Sequence, residues 1–311
     1  MKKIGQLSLA LFCLFWVNNT FAETVFTYQS KESPSGTRRE YTKYLLELAL
    51  EATIAKYGPY KLVASGQMNS VRSRMDAKFG NKENYFVGDS VSKDLIDGMG
   101  YVSFPIDRGV VGYRVFFVSP EARERLRGVS TLDELKEFTI VQGIGWLDTG
   151  ILIHNGFKVI TGTDYDGLFK MVARNRIDLF PRGANEILRE YEYHNKVQGL
   201  IYDDTIVLYY PSPRFFFTAK SNVTAIKRIE EGLIISYEDG SLQKLWEKYY
   251  QPSIDFVNLK KRRIFEIDNP FLGGVDASYE KYFYRPSGIE LGAENPINDT
   301  IAVSNAAGSY R

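Results

Sequence analysis

The chain has little cysteine and little histidine. Of its 311 residues one is a cysteine, Cys13, and two are histidines, His154 and His194. Cys13 lies in the first 22 residues, so a chain that loses this segment has no disulfide to form. The histidine pair does not have the spacing of a metal site. The composition therefore argues against a disulfide scaffold, a zinc site and cysteine-based catalysis.

Motifs for nucleotide binding and nucleophilic catalysis are also missing. The sequence contains no nucleophile elbow, no phosphate-binding loop and no dinucleotide fingerprint. We therefore expect a protein that is not an enzyme and that carries no cofactor and no metal.

An excess of positive charge is lacking as well. The 39 lysines and arginines balance 38 acids. The first 22 residues hold Lys2 and Lys3 and no acid, which leaves 37 positive against 38 negative groups in the remainder. Proteins that bind nucleic acid usually carry a basic excess. We expect no nucleic-acid partner.

The one long apolar run lies near the N-terminus. Leu9 to Val17 is wholly apolar, and Thr20-Phe21-Ala22 supplies small residues at −3 and −1 of a cleavage site. A bilayer span takes about 20 apolar residues, so this run is short for a membrane helix. It fits a secretory signal peptide, and we expect a periplasmic mature chain that starts near Glu23.

Strand and helix patterns alternate through the rest of the chain. Val25 to Tyr28 and Val110 to Val118 are strand-like, and Thr131 with Glu134 forms a capping box that opens a helix. Connections are short. This alternation predicts an α/β fold with a mostly parallel sheet and helices on both faces.

The closing part of this pattern resembles a known family. Ile226 to Tyr250 reads as a helix, a turn at Asp239-Gly240 and a second helix that ends in Lys248-Tyr249. This order is similar to the closing segment of the extracytoplasmic solute-binding proteins of amino-acid ABC transporters. Three further segments resemble a poorly characterised branch of that superfamily: 105–114 (PIDRGVVGYR), 145–156 (GWLDTGILIHNG) and 176–186 (RIDLFPRGANE).

The resemblance implies a fold and a division of the chain. The fold is the class II periplasmic-binding-protein type, in which two lobes, each a mostly parallel sheet flanked by helices, hold a ligand cleft between them. The crossings between lobes would lie near Gly112-Tyr113-Arg114 and Pro211-Ser212-Pro213. The implied segments are a signal peptide at 1–22, lobe one at 23–113 plus 214–285, lobe two at 114–213 and a loosely structured tail at 286–311.

The resemblance also implies a function. It suggests a monomeric periplasmic binder that captures a small-molecule ligand for an ABC-type importer, with a membrane permease as its partner. A sensory binder that reports to a membrane signalling protein needs the same cleft, so this alternative stays open. So does a periplasmic enzyme, because a few proteins of this fold resemble dehydratases that use an acidic residue in the cleft.

The sequence departs from the amino-acid binders at the ligand site. Where they lead to an aspartate that meets the ligand's amino group, this chain has Phe180-Pro181-Arg182-Gly183. An arginine repels an ammonium, so we expect a small ligand that is anionic or bears a carboxylate. The family's carboxylate-binding arginine has no clear counterpart in lobe one, where Arg72, Arg74 and Arg108 are candidates.

The loop from Gly143 to Thr149 lies between a predicted strand and a predicted helix. Free backbone N–H groups and the helix dipole suit an anion there, although Asp148 or Thr149 could instead cap the helix. Trp146 could stack on an apolar ligand face or pack in the core. Arg182 directly follows a predicted strand end and offers a planar fork to a carboxylate, although it could instead form a salt bridge at the lobe surface. The predicted ligand-binding residues are Tyr28, Arg72, Arg108, Arg114, Trp146, Asp148, Thr149 and Arg182.

Overall fold

The structure is a computed structural model that describes residues 22–30, 38–286 and Leu291. The predicted signal peptide and the predicted C-terminal tail lie almost wholly outside these residues. Within the described ranges, no helix combines the length and the apolar composition that crossing a membrane requires.

The strands and helices are numbered in chain order. The strands are β1 Thr24–Tyr28, β2 Tyr60–Ala64, β3 Tyr85–Ser90, β4 Gly100–Val102, β5 Tyr113–Val118, β6 Thr139–Gly143, β7 Lys158–Gly162, β8 Leu179–Gly183, β9 Ile201–Tyr202, β10 Ile206–Tyr209, β11 Arg214–Thr218 and β12 Arg263–Glu266. The helices are α1 Arg38–Glu51, α2 Ile54–Tyr57, α3 Ser70–Lys78, α4 Lys93–Gly98, α5 Pro120–Arg127, α6 Leu132–Lys136, α7 Leu147–His154, α8 Tyr165–Ala173, α9 Ile187–His194, α10 Val223–Glu238 and α11 Ser241–Val257.

The first sheet has the strand order β2-β1-β3-β11-β4. β1 pairs in parallel with β2 and β3, and β11 runs antiparallel to β3 and β4. Apolar residues recur at helical spacing in α10, so that Ile229 and Leu233 face the sheet and pack with Phe26 and Phe86. Trp246 of α11 lies in the same core.

The second sheet has the order β12-β10-β5-β8-β6-β7, with β9 paired to β5. Successive side chains of a strand point to opposite faces. Phe116 accordingly packs with Ile140 in one core, while Phe117 packs with Phe169 and Phe180 in the other. Helices therefore cover both faces of this sheet.

The predicted two-lobed α/β fold is confirmed, with sheets that are mixed in direction. Parallel pairs join β1 to β3 and β6 to β8, as the strand–helix alternation predicts. The antiparallel pairs involve β5, β10 and β11, which begin or end where the chain passes between the sheets.

Two crossing segments run against each other at the junction of the sheets. The N–H of Tyr210 donates to the carbonyl of Gly112 at 3.3 Å. A Cβ at position 112 would lie 2.4 Å from the carbonyl oxygen of Tyr210, so glycine serves close approach here rather than flexibility. The division into lobes stays a prediction. One strand does not follow this division. β12, Arg263–Glu266, falls in the predicted lobe one but pairs with β10 in the second sheet.

One predicted element is longer than the sequence indicated: α11 does not end at Lys248-Tyr249 but extends through Pro252 to Val257. β8 runs through Pro181 to Gly183, since Pro181 lies opposite Phe116 of β5. α3 begins at Ser70, and the side chain of Asn69 caps this helix by accepting from the N–H of Arg72 at 2.8 Å.

Candidate functional site

A cleft of about 560 Å³ lies between the two sheets and takes its lining from both; it is named the charged cleft here. The elements around the first sheet form one wall, the first-sheet wall, which comprises Arg39, Ser70, Arg74, Gly88, Asp89, Ser90 and Arg214. The elements around the second sheet form the opposite wall, the second-sheet wall, which comprises Val111, Arg114, Gly145, Trp146, Leu147, Asp148, Arg182 and Glu186.

Positive charge exceeds negative charge in this lining. Five of the lining residues are arginines, and three are acids, namely Asp89, Asp148 and Glu186. A concave site with an excess of one sign raises the local concentration of the opposite ion. The charged cleft therefore favours an anionic solute over a cation.

Arg182 is held by carboxylates of its own chain. It is 2% exposed, and it donates to Glu190 through Nε at 2.8 Å and through a terminal nitrogen at 2.6 Å. A carboxylate oxygen of Glu186 lies 3.0 Å from the same terminal nitrogen of Arg182. Burial opposes the charge of Arg182, but the two glutamates outweigh it and raise its pKa well above the usual value. Arg182 lies within β8 and not after the last residue of that strand.

A second buried group joins Arg114, Asp148 and Tyr210. Arg114 forms an ion pair with Asp148, and the hydroxyl of Tyr210 donates to the same carboxylate. Burial raises the pKa of Tyr210 well above its usual value, which keeps the phenol protonated as a donor. Asp148 therefore serves an arginine and a tyrosine and is not a free acid.

The arginines of the first-sheet wall are held differently. Arg74 pairs with Asp89 at 2.7 Å. Arg39 donates to the carbonyl of Ser30 at 2.7 Å and to the hydroxyl of Ser70 at 3.0 Å. Arg214 donates to the carbonyl of Gly88 at 3.0 Å, and no carboxylate of the described residues lies within ion-pair distance of it.

The charge of Arg214 interacts with that of Asp107. Burial raises the pKa of Asp107 to about 6, and the charge of Arg214 opposes this rise. One carboxylate oxygen of Asp107 accepts from the N–H of Gly109 at 3.1 Å, while the other is buried without a partner among the described residues. Arg214 itself donates one side-chain hydrogen bond among the described residues, to Gly88, so its guanidinium keeps hydrogen-bonding capacity for a ligand.

The start of α7 is not capped by a side chain. The helix begins at Leu147 with Trp146 in the N-cap position, so neither Asp148 nor Thr149 has the capping role that the sequence left open. The hydroxyl of Thr149 is buried without a partner among the described residues. Asp148 places a negative charge in the first turn, which satisfies the helix dipole and weakens the turn as an anion site.

The structure brings half of the predicted residues together. Arg114, Trp146, Asp148 and Arg182 line the charged cleft, and Thr149 follows Asp148 in α7. Tyr28 lines a small adjoining hollow that shares Gly88 with the charged cleft.

Arg72 and Arg108 do not line the charged cleft. Arg72 is exposed at the start of α3. Arg108 donates through Nε to the carbonyl of Tyr282 at 3.0 Å and contacts Gln243, which ties the C-terminal segment to the crossing.

Sequence reasoning missed four charged residues of the cleft, namely Arg39, Asp89, Glu186 and Arg214. Two of them carried a readable signal. Glu186 follows Arg182 by four residues, at the end of the strand-to-helix connection that brings its carboxylate back to the arginine. Arg214 opens the strand directly after the predicted second crossing, the place where a cleft between lobes must lie.

Comparisons with known proteins point to one fold. No protein-family model and no curated protein match the chain. Among solved structures, a periplasmic binding protein of Salmonella typhimurium with high arginine specificity is 12% identical and superposes with a TM-score of 0.56 over 74% of this chain and 100% of that chain. The GluR0 ligand-binding core from Nostoc punctiforme, in complex with L-glutamate, is 15% identical, with a TM-score of 0.51 over 74% and 100%.

A third similar structure is a histidine kinase sensor domain with similarity to periplasmic binding proteins. It is 12% identical and has a TM-score of 0.53 over 74% of this chain and 96% of that chain. At such identities the likeness establishes the fold alone. The chain has the two-lobed fold of class II periplasmic binding proteins, and the predicted architecture is confirmed.

Proposed function

We propose that this protein is a periplasmic solute-binding protein that holds a small carboxylate-bearing ligand in the charged cleft. The observation that carries this proposal is Arg214, a guanidinium that lines the cleft without an ion-pair partner among the described residues. Arginine binds carboxylates through two parallel hydrogen bonds, so an open arginine in a concave site suits such a ligand.

The acids of the lining support the same choice. Asp89 pairs with Arg74, Asp148 with Arg114, and Glu186 with Arg182. An ammonium group would have to compete with an arginine for each of these carboxylates. The cleft therefore favours a ligand with a carboxylate and without a compensating ammonium, which separates this protein from binders of ordinary amino acids.

The proposed biological role is supported by the roles of two similar structures. One similar structure is an amino acid ABC transporter substrate-binding protein from Streptococcus pneumoniae bound to L-arginine, and another is a histidine kinase sensor domain. We propose delivery to an ABC-type permease, with a sensory role as the second candidate. Affinity capture from membranes tests the choice, because a permease in the captured fraction supports import and a signalling protein supports sensing.

Ligand binding itself is tested by thermal shift and calorimetry with small carboxylates and amines. We expect carboxylates to raise the unfolding temperature, since a ligand that binds only the folded state stabilises it. Arg214→Met should weaken binding by roughly 1.5–3 kcal/mol, the range for a hydrogen bond to a charged group. The matched control is Arg127→Met, which removes an exposed arginine paired with Glu124. Binding of amines alone, or equal affinities in the two variants, would contradict the proposal.

A further inference from the structure

A second hollow of about 510 Å³ adjoins the charged cleft. Its lining comes from the start of α3 on one side and from the carboxyl ends of β6 and β7 on the other. Five of its ten lining residues are apolar or aromatic, namely Val71, Ile144, Trp146, Tyr165 and Leu168. We name it the uncharged hollow, because no charged residue of the described chain lines it.

The two spaces adjoin each other. Both are lined by Ser70 and Trp146. Gly145 lies between them with φ +75°, and a Cβ there would come within 2.8 Å of the side chain of Val71. Gly145 and Val71 are therefore in contact and narrow the boundary between the two spaces at this point. A ligand longer than its carboxylate would reach the uncharged hollow along Ser70 and Trp146, which line both spaces.

The walls of the uncharged hollow keep apolar surface in contact with water. Val71 is 46% exposed and Ile144 is 58% exposed, although both lie at the mouth of a concave site. Apolar surface that stays exposed beside a polar site is typical of ligand-binding grooves. Covering it with an apolar group removes that surface from water, which favours binding.

We propose that the ligand is an amphipathic carboxylate, with its carboxylate at Arg214 and an apolar tail that passes Trp146 into the uncharged hollow. The contrast between the two linings carries this inference. Charged side chains dominate the space that holds the head, and uncharged ones surround the space that holds the tail. This inference rests on the proposed function, in which the charged cleft binds a carboxylate.

Calorimetry with two homologous series tests the tail. The straight-chain series runs from butyrate to octanoate, and the aromatic series runs from phenylacetate to 4-phenylbutyrate. We expect affinity to rise by about threefold for each methylene that enters the hollow. The better series identifies an alkyl or an aryl tail. Equal affinities along both series would overturn the inference but leave carboxylate capture intact, whereas no binding by any carboxylate would reject the proposed function itself.

Two double variants test where the apolar tail of the ligand binds. Val71→Ser combined with Ile144→Ser should flatten the rise of affinity with tail length and lower octanoate affinity by about tenfold. The matched control is Met75→Ser with Ile153→Ser, since these residues are 46% and 56% exposed, lie on α3 and α7 and do not line the hollow. The control pair should leave the rise unchanged. Equal slopes in the two double variants would place the tail elsewhere and overturn the inference.

Discussion

Arg214 on the first-sheet wall of the charged cleft is held differently from Arg114 and Arg182 on the second-sheet wall. On the second-sheet wall, Arg114 and Arg182 are buried and bound to carboxylates of the same chain. On the first-sheet wall, Arg214 is partly exposed and bound to a backbone carbonyl. The first arrangement fixes the shape of a wall, and the second leaves a cation that a solute can neutralise.

Burial explains the difference. A buried guanidinium is stable only when hydrogen bonds or carboxylates replace its lost hydration. Arg182 is 2% exposed and obtains this replacement from Glu186 and Glu190, whereas Arg214 is half-buried and leaves part of its guanidinium open to a ligand. An arginine that faces a cleft is thus not automatically a ligand contact, and the role of Arg182 is to hold β8 to α9.

The largest predicted effect is the loss of stability when Arg182 is replaced. Arg182→Met should lower the free energy of unfolding by about 3–5 kcal/mol, because it leaves Glu186 and Glu190 buried without their cation. The same substitution at Arg214 should cost only about 1 kcal/mol, the value of one ordinary hydrogen bond. Urea denaturation of the two variants measures both. Equal losses of stability would show that the two walls do not differ in this way.

A smaller predicted effect is the change of stability with pH that Asp107 causes. Its folded-state pKa is raised to about 6 from 3.8, so the native protein binds more protons than the unfolded chain between these values. Stability should therefore fall as pH rises from about 4 to 6 and stay lower above that range. At about 1.4 kcal/mol per pKa unit, the loss is roughly 3 kcal/mol.

Asp107→Asn removes this titration and keeps an oxygen for the N–H of Gly109. We expect the variant to be more stable than the parent at neutral pH and equal to it near pH 4. It should also bind a carboxylate more tightly at neutral pH, since Arg214 no longer shares its field with a nearby anion. Denaturation curves and calorimetry at both pH values measure these differences. A stability gap that does not change with pH would exclude Asp107 as the titrating group.

Local rules gave much of the fold. The capping box at Thr131 and Glu134 is present, and the helical spacing of Ile229 and Leu233 predicted the buried face of α10. Local rules fail where tertiary pairing prevails. Proline usually ends a strand, yet β8 continues past Pro181 because β5 pairs with it on through Gly183.

The site was less predictable for a physical reason. Whether an arginine is free depends on which acids the fold brings to it. Arg182 meets Glu190 from the next helix, and Arg214 meets Gly88 from a strand 126 residues away. Sequence reasoning identified arginine as the residue type of the cleft and placed the loop at Trp146 there, but the choice among arginines needed the structure.

The C-terminal segment also bears on the comparison, because it connects the two walls. After α11 the chain enters the second sheet as β12, and Phe265 and Ile267 pack in a core of that sheet. It then returns to the first sheet, where Tyr279 and Phe283 pack in a core with residues of β3 and β11. Between α11 and residue 286 the chain thus passes between the sheets twice more, in addition to the two crossings that the sequence predicted.

The smallest predicted effect concerns closure of the two walls. A ligand that contacts Arg214 on one wall and the loop at Trp146 on the other favours the closed form, so binding should lower the radius of gyration in small-angle scattering. The additional passages resist this rotation. Asn269 donates to the carbonyl of Pro211 at 2.8 Å, and Asn155 donates to that of Asp268 at 2.9 Å.

Asn155→Ala with Asn269→Ala removes both ties, at about 1 kcal/mol each. Few contacts then oppose the torsional change at the crossings, and the rotation between free and bound states can be larger. We expect ligand to reduce the radius of gyration more in this double variant than in the parent, measured by scattering with and without a carboxylate whose binding calorimetry has established. An equal reduction in both proteins would mean that the C-terminal passages follow the moving sheet without restraining it, and an absent reduction in both would mean that the walls are already as close as a bound ligand requires.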